Sequence, residues 1–172
     1  MRLEVEILNL IAERRLRRPA RDLAALAQLF RRLAVCSSLE ASATEERIWD
    51  VWMDHPHREA AAALDAATRD IAAKRYDIAE TRLTALLRAA PSYAEAWHKR
   101  ATLYYLLGRD DECLHDIRRT LELEPRHFAA MLHFAEILLG EGASHDARYA
   151  FAAALSLHPH LARAREQLAD KG

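Results

Sequence analysis

Apolar residues recur along the chain every three or four positions, with polar residues between them. This is the spacing of an amphipathic helix, because residues three and four apart lie on the same helix face. The pattern is regular over residues 20–35, where Leu23, Leu26, Leu29 and Leu33 share one face. It predicts a helix over those residues.

A second helix is predicted after a loop over residues 36–42. Ser42 and Glu45 have the spacing of a capping box at a helix start, and Pro56 ends the segment. The two helices together predict an N-terminal helical hairpin over residues 20–58.

The remainder of the chain repeats with a fixed period. Prolines recur at intervals of 34 residues, at Pro91, Pro125 and Pro159. Alignment on them divides the sequence into three windows, residues 60–93, 94–127 and 128–161. A period of this length is typical of a helical repeat protein.

The three windows share residue types at equivalent positions. The middle window carries Trp97, Ala101, Tyr104, Gly108, Cys113, Ile117 and Pro125. The third window carries Met131, Ala135, Leu138, Gly142, Ala147, Phe151, Ala154 and Pro159, and the first carries Ala67, Ala79, Leu83 and Pro91. Residues 60–161 therefore resemble the tetratricopeptide repeat family, and the hairpin before them is similar to the lead-in of small bacterial members.

The resemblance implies an all-α fold: a right-handed α-solenoid of three helix pairs, preceded by the hairpin and followed by a capping helix within residues 162–172. Predicted helices span about residues 60–73, 77–90, 94–107, 111–124, 128–141 and 145–158. Ser92 and Glu95 predict a capping box at the start of the third of these. Residues 1–19 form either another helix or a frayed end.

The resemblance also implies how each helix pair packs. Two antiparallel helices approach closely where small residues meet, as at Ala101 opposite Cys113. Trp97 is expected to fill the space beside that crossing. Gly108 and Gly142 are expected to adopt the left-handed conformation that ends the first helix of a repeat.

Charge and hydropathy exclude some classes of function. The chain has 172 residues with 25 basic and 26 acidic side chains, and its formal net charge is −1. This balance argues against nucleic acid as a partner, because binding it relies on a positive excess. No apolar run approaches the roughly 20 residues that span a bilayer, and Glu4 and Glu6 interrupt the N-terminal one. We expect a cytoplasmic protein, or an exported, periplasmic one if the true start lies elsewhere.

Candidate chemistry is sparse. The sequence has no glycine-rich phosphate loop, no Gly-x-Ser-x-Gly and no His-Glu-x-x-His, so we expect no catalysis, no metal and no other cofactor. The His-Pro-His segments at residues 55–57 and 158–160 are expected to be solvated turns. Trp49 and Trp52 are expected in a hydrophobic stripe, the alternative being exposed anchors for a partner.

In tetratricopeptide repeat proteins, the first helices of successive repeats line a concave groove that binds peptides. The matching positions here include Leu64, Thr68, His98, Lys99, Thr102, Tyr105, Leu132, His133 and Glu136. They predict a largely apolar surface with mixed charge, suited to an extended or helical peptide with apolar anchors. His98 and His133 are expected to titrate near the ordinary histidine pKa of about 6.5.

The resemblance therefore implies a non-catalytic scaffold that binds a peptide or helix of a partner protein in this groove. Two alternatives stay open. The N-terminal helices cover part of the groove, or they pair between two chains and form a homodimer. The apolar residues Leu3, Ile7, Leu10 and Ile11 need a covering surface in either case.

Overall fold

The computed structural model describes residues 2–20 and 24–169, which form helices joined by loops. The helices are α1 (Leu3–Glu13), α2 (Ala24–Leu33), α3 (Ser38–Met53), α4 (Arg58–Ala72), α5 (Tyr76–Ala89), α6 (Ala94–Leu106), α7 (Asp110–Leu123), α8 (Phe128–Gly140), α9 (Ser144–Leu157) and α10 (Ala162–Ala169). The all-α fold expected from the sequence is confirmed.

Six of the helices form three stacked pairs, α4 with α5, α6 with α7, and α8 with α9. Their bounds fall within two residues of the predicted ones. Ala101 and Cys113 are fully buried between α6 and α7, and burial raises the pKa of the Cys113 thiol to about 12. α10 packs against α9 and buries Ala164, as a capping helix does. The stack is a helical repeat solenoid.

The same turn joins the two helices of every pair. Its central residue has a left-handed φ of 58° at Lys74, 66° at Gly108 and 79° at Gly142. In each turn the next backbone N–H donates to the carbonyl five residues earlier, at 2.8 to 2.9 Å. These bonds satisfy carbonyls that the helix end would leave unpaired. The glycines behave as predicted, whereas the left-handed lysine was not anticipated.

The N-terminal helices pack onto the solenoid. α1 lies against α7 and α9 and buries Ile7 and Ile11 completely. Of the two alternatives for residues 1–19, the structure therefore has a packed helix, and it extends over Leu3–Glu13. α2 and α3 pack against each other as a hairpin. The predicted helix over residues 20–35 includes residues 21–23, which lie outside the described residues.

The prediction that a helix starts at Ser42 is wrong. α3 begins at Ser38, because the Glu40 carboxylate accepts hydrogen bonds from the Ser37 N–H at 3.1 Å and the Ser37 hydroxyl at 2.9 Å. The capping box therefore lies five residues earlier in the chain than predicted. Part of the predicted loop over residues 36–42 is helical.

Two expectations around α6 are also wrong, one of them only in part. Its N-cap is Tyr93, with no side-chain cap, so Ser92 and Glu95 do not form the predicted capping box. The expectation that Trp97 fills the space beside the helix crossing is wrong in part, because its side chain packs against buried residues but is itself only half-buried. Its ring lies beside the guanidinium of Arg100, and its Nε1 donates to the Pro91 carbonyl at 2.9 Å.

The buried apolar residues form two clusters. The larger joins α1, α2 and α3 to the second and third helix pairs, and the smaller belongs mainly to α4 and α5. Within the described ranges, none of the helices has the length and apolar character needed to cross a bilayer.

Candidate binding surface

α3 lies against the N-terminal ends of α6 and α8 and places two tryptophans on histidines there. The Trp52 and His127 rings stack with centroids 4.1 Å apart and 9° between their planes. The Trp49 and His98 rings stack at 5.8 Å and 28°. Both tryptophans also contact Phe128. The two residues thus form an apolar stripe, and this stripe covers part of the surface that the repeats present.

Hydrogen bonds hold α3 at its C-terminal end and near its middle. At its C-terminal end the Tyr93 hydroxyl donates to the Met53 carbonyl. Near its middle the Glu45 carboxylate lies 3.0 Å from Nε2 of His158, which is 2% exposed. The expectation of solvated histidines at residues 158–160 is therefore wrong, because His158 pairs with α3 and His160 is half-buried.

Beneath the tryptophans, the buried carboxylate of Glu95 has three nitrogen partners. Nε2 of His127 lies at 2.9 Å, Nδ1 of His98 at 3.3 Å, and Nζ of Lys99 at 3.2 Å. The other ring nitrogen of His127, Nδ1, accepts a hydrogen bond from the Ala130 N–H at 3.2 Å. This places the His127 proton on Nε2, which therefore donates to Glu95.

The ligand atoms of Glu95, His98 and His127 lie within 4.8 Å of one another, a separation that one metal ion would bridge. The proton positions do not fit a metal, however. A metal-bound histidine donates from its other nitrogen, whereas Nδ1 of His127 accepts from Ala130. The Lys99 ammonium beside Glu95 also opposes a second cation. The geometry is that of a hydrogen-bonded cluster.

Burial controls the protonation of this cluster. Burial alone would raise the pKa of Glu95, but His98 and His127 hold that pKa well below its usual range. Burial lowers the pKa of His98 to about 3 and that of His133 to about 4. The expectation that both histidines titrate near the ordinary value is therefore wrong. His98 lies under Trp49 and is only 3% exposed.

A row of stacked rings continues from His98 toward the other end of α6 and α8. The His133 ring lies 5.4 Å from His98 and 5.1 Å from Tyr105, nearly parallel to both. The Tyr105 hydroxyl donates to the Glu136 carboxylate at 2.7 Å, and this bond raises the pKa of Tyr105 to about 12. Glu136 also accepts from Arg163 at 3.1 Å. The row thus connects the covered region to the capping helix.

The nine predicted groove residues fall into two groups. Leu64 and His98 are buried. The other seven keep part of their side chains exposed: Thr68, Lys99, Thr102, Tyr105, Leu132, His133 and Glu136. Those nearer the C-terminal ends of α4, α6 and α8, together with Leu106, form what we call the open inner surface: Thr68, Thr102, Tyr105, Leu106 and Glu136. Leu106 is 53% exposed.

Glu95 occupies a predicted groove position, but the sequence did not identify His127 as part of this region. One signal was present, because His127 and Tyr93 lie 34 residues apart, at the same position of consecutive windows. In the structure both precede the first helix of a pair and both contact α3, His127 through Trp52 and Tyr93 through Met53. A ring at this repeat position marks where α3 binds.

Comparison with known proteins agrees with the repeat pattern. The family model described as tetratricopeptide repeat matches residues 94–127, which are the residues of the middle window. A TPR repeat-containing protein of Rhizobium etli is 31% identical over 129 residues. The match covers 75% of this chain and 63% of that relative, so this chain spans less than two thirds of the relative's length.

Proposed function

We propose that this chain, which belongs to the tetratricopeptide repeat family, is a non-catalytic scaffold that binds a peptide or helical segment of a partner protein. Repeats of this family generally mediate protein–protein interactions. The binding surface we propose is the open inner surface, with Lys99, Leu132 and His133 at its border with α3.

The observation that carries this proposal is that α4, α6 and α8, the first helices of the three pairs, are covered unevenly. α3 covers the N-terminal ends of α6 and α8, whereas α10 reaches the open inner surface through the contact of Arg163 with Glu136, and Leu106 stays exposed. The uncovered part combines an exposed leucine, Leu106, with the hydroxyl of Tyr105 and the carboxylate of Glu136. Apolar area bordered by a few polar groups suits a peptide with apolar anchors.

The contacts of α3 suggest which kind of partner segment would bind to α6 and α8. α3 is a helix that uses Trp49 and Trp52, three residues apart, to contact the repeats. Residues at this spacing share a helix face. We therefore propose that the partner segment binds beside α3 through apolar or aromatic side chains on one face.

Dimerisation through the N-terminal helices has less support. It was suggested by apolar residues of the N-terminal segment that need a covering surface. α7 and α9 of the same chain supply that surface for Ile7 and Ile11. No second chain is needed to bury them.

Selection of random 15-residue peptides on phage against the full chain tests the proposal. Selected peptides should lose at least about tenfold in affinity for Leu106→Asp, because a charge would enter an apolar contact. The matched control is Tyr149→Asp. Tyr149 is 41% exposed and lies on α9, which contributes no residue to the open inner surface. Peptides that bind both variants like the parent, or a selection that yields no binder, would refute the proposal.

A further inference from the structure

A second surface lies where three helices end. α1 ends at Glu13, and the five residues after it include four arginines. Three of these and Arg126 line an open pocket of about 330 Å³. We call it the arginine pocket, and its lining is Arg14, Arg15, Arg17, Pro19, Pro125, Arg126, Ser156 and Leu157. It shares no residue with the open inner surface, so a ligand bound here is independent of the function proposed above.

Most of the positive charge in the pocket has no carboxylate partner among the described residues. Arg126 is paired with Glu124 through two contacts of 2.8 and 2.9 Å. Arg14 donates instead to the Ile11 carbonyl and the Ser156 hydroxyl, at 2.7 and 2.9 Å. Within the described part of the chain, Arg14, Arg15 and Arg17 form no ion pair. Elsewhere in this near-neutral chain, arginines such as Arg100 and Arg109 are paired with acids.

Arg17 provides a second observation. Its Nη2 makes one long contact of 3.4 Å to the Glu122 carbonyl. Its Nε is buried and has no hydrogen-bond partner in residues 2–20 and 24–169. Leaving a charged donor buried and unpaired is unfavourable. An anion in the pocket would supply the acceptor that this guanidinium lacks.

The negative ends of the helix dipoles explain only part of the clustering of arginines at the pocket. α1, α7 and α9 all end near the pocket, at Glu13, Leu123 and Leu157. Each C-terminus carries roughly half a negative charge, and basic side chains are favourable there. Four arginines within residues 14–18 exceed these partial charges and the Glu13 carboxylate together. A positive excess remains at the surface.

Apolar side chains at the pocket indicate that its ligand has an apolar group as well as negative charge. Leu16 is 88% exposed between the arginines, and Pro19, Pro125 and Leu157 form apolar parts of the lining. None of the described residues that line the pocket is aromatic, so a nucleobase would find no ring there to stack on. Arginine forks pair with carboxylates through two parallel hydrogen bonds. We propose that the arginine pocket binds an acidic segment of a partner protein, with carboxylates on Arg15 and Arg17 and an apolar side chain against Leu16.

Fluorescence anisotropy with the full chain tests this site. The probe is a rhodamine-labelled Glu-Glu-Leu-Glu-Glu peptide, and the matched peptide is Gln-Gln-Leu-Gln-Gln. We expect the acidic probe alone to bind, and its affinity to fall as salt shortens the screening length to about 3 Å at 1 M. Arg15→Gln/Arg17→Gln should weaken binding roughly tenfold or more. The control Arg58→Gln/Arg88→Gln removes two exposed arginines elsewhere and should bind like the parent.

Several outcomes would overturn the proposal. One is no binding of the acidic probe, and another is equal binding by both double variants. Saturable binding of inorganic phosphate without the peptide would make this a small-anion site. Binding only to phosphatidylglycerol vesicles would make it a membrane contact. If circular dichroism shows that the double variant is less helical than the parent, the binding test uses the single variant Arg15→Gln. Arg15 is exposed and has no partner among the described residues, so its replacement should leave the fold intact.

Discussion

Among single residues, His98 couples the stability of the fold to pH. Its pKa in the folded chain is about 3, below the value of about 6.5 expected when the chain is unfolded. Between these values the unfolded chain binds more protons than the folded one, so the free energy of unfolding decreases as the pH falls. The stability is complete above about pH 6.5 and is lost progressively toward pH 3. Glu95, whose pKa is also lowered, loses stabilisation in the same direction.

His98→Asn tests this coupling, because asparagine keeps an amide donor for Glu95 but does not titrate. Between pH 7 and pH 4 the parent should lose roughly 2–3 kcal/mol more of its free energy of unfolding than the variant. Urea unfolding at pH 7, 5.5 and 4 measures the difference. His145→Asn is the control, since the His145 side chain is 99% exposed, and it should follow the parent. Parallel losses in the parent and His98→Asn would contradict the coupling.

At the scale of elements, the three turns inside the helix pairs share one geometry but not one residue. Lys74 has a φ of 58° where the next two turns have glycine. A side chain in this left-handed conformation costs roughly 1 kcal/mol. A Cβ on Gly108 would meet no atom within 4 Å, so a substitution there is strained by its φ alone.

Exchanging these residues should therefore have opposite effects. We expect Lys74→Gly to raise the free energy of unfolding by roughly 0.5–1 kcal/mol, and Gly108→Ala to lower it by about 1 kcal/mol. Lys74 is exposed, so removing its side chain leaves no cavity. Chemical denaturation at pH 7 measures both. A less stable Lys74→Gly would mean that the lysine side chain has a role that its φ does not reveal.

The helices were predictable from the sequence, whereas the placement of α3 was not. Periodicity and turn residues are local signals, and they located the bounds of α4 to α9 closely. Glu45 and His158 are 113 residues apart, so no local pattern relates them. Ser37–Glu40 and Ser42–Glu45 both have capping-box spacing. In the structure the Glu45 carboxylate contacts Trp49 and His158 instead of capping a helix, and Ala41 is buried within α3.

Ion pairing explains another departure from the predicted packing. The guanidinium of Arg100 on α6 pairs with Asp116 of α7 at 2.6 and 2.9 Å. Asp116 is 1% exposed, so this pair lies between α6 and α7. The Arg100 guanidinium also lies 5.1 Å from the centre of the Trp97 ring, which is half-buried. Both residue types are visible in the sequence, but their pairing depends on how two helices face each other.

Across the whole molecule, the two ends of the stack are supported unequally. The third pair packs against both α10 and α1. The first pair belongs to the smaller cluster, which Ala96 and Leu103 of α6 join, and Ile78 of α5 is 49% exposed. Its polar links to the second pair include the Glu80 carboxylate, which accepts from the Tyr104 hydroxyl at 3.1 Å and from Arg109 at 3.0 Å, and the Thr84 hydroxyl, which accepts from Arg100 at 3.3 Å. In repeat proteins each pair is stabilised mainly by its neighbours, so the first pair should be the less stable end.

Native-state hydrogen exchange measures this difference directly. We expect amides of α4 and α5 to exchange through openings of lower free energy than amides of α8 and α9, by about 2 kcal/mol or more. Leu83→Ala removes a fully buried side chain of the smaller cluster and should lower the opening free energy of α4 and α5 by roughly 2–5 kcal/mol. Because the third pair belongs to the other cluster, its exchange in that variant should change far less. Equal protection of the two pairs, or equal loss of protection in Leu83→Ala, would instead mean that the solenoid opens as one cooperative unit.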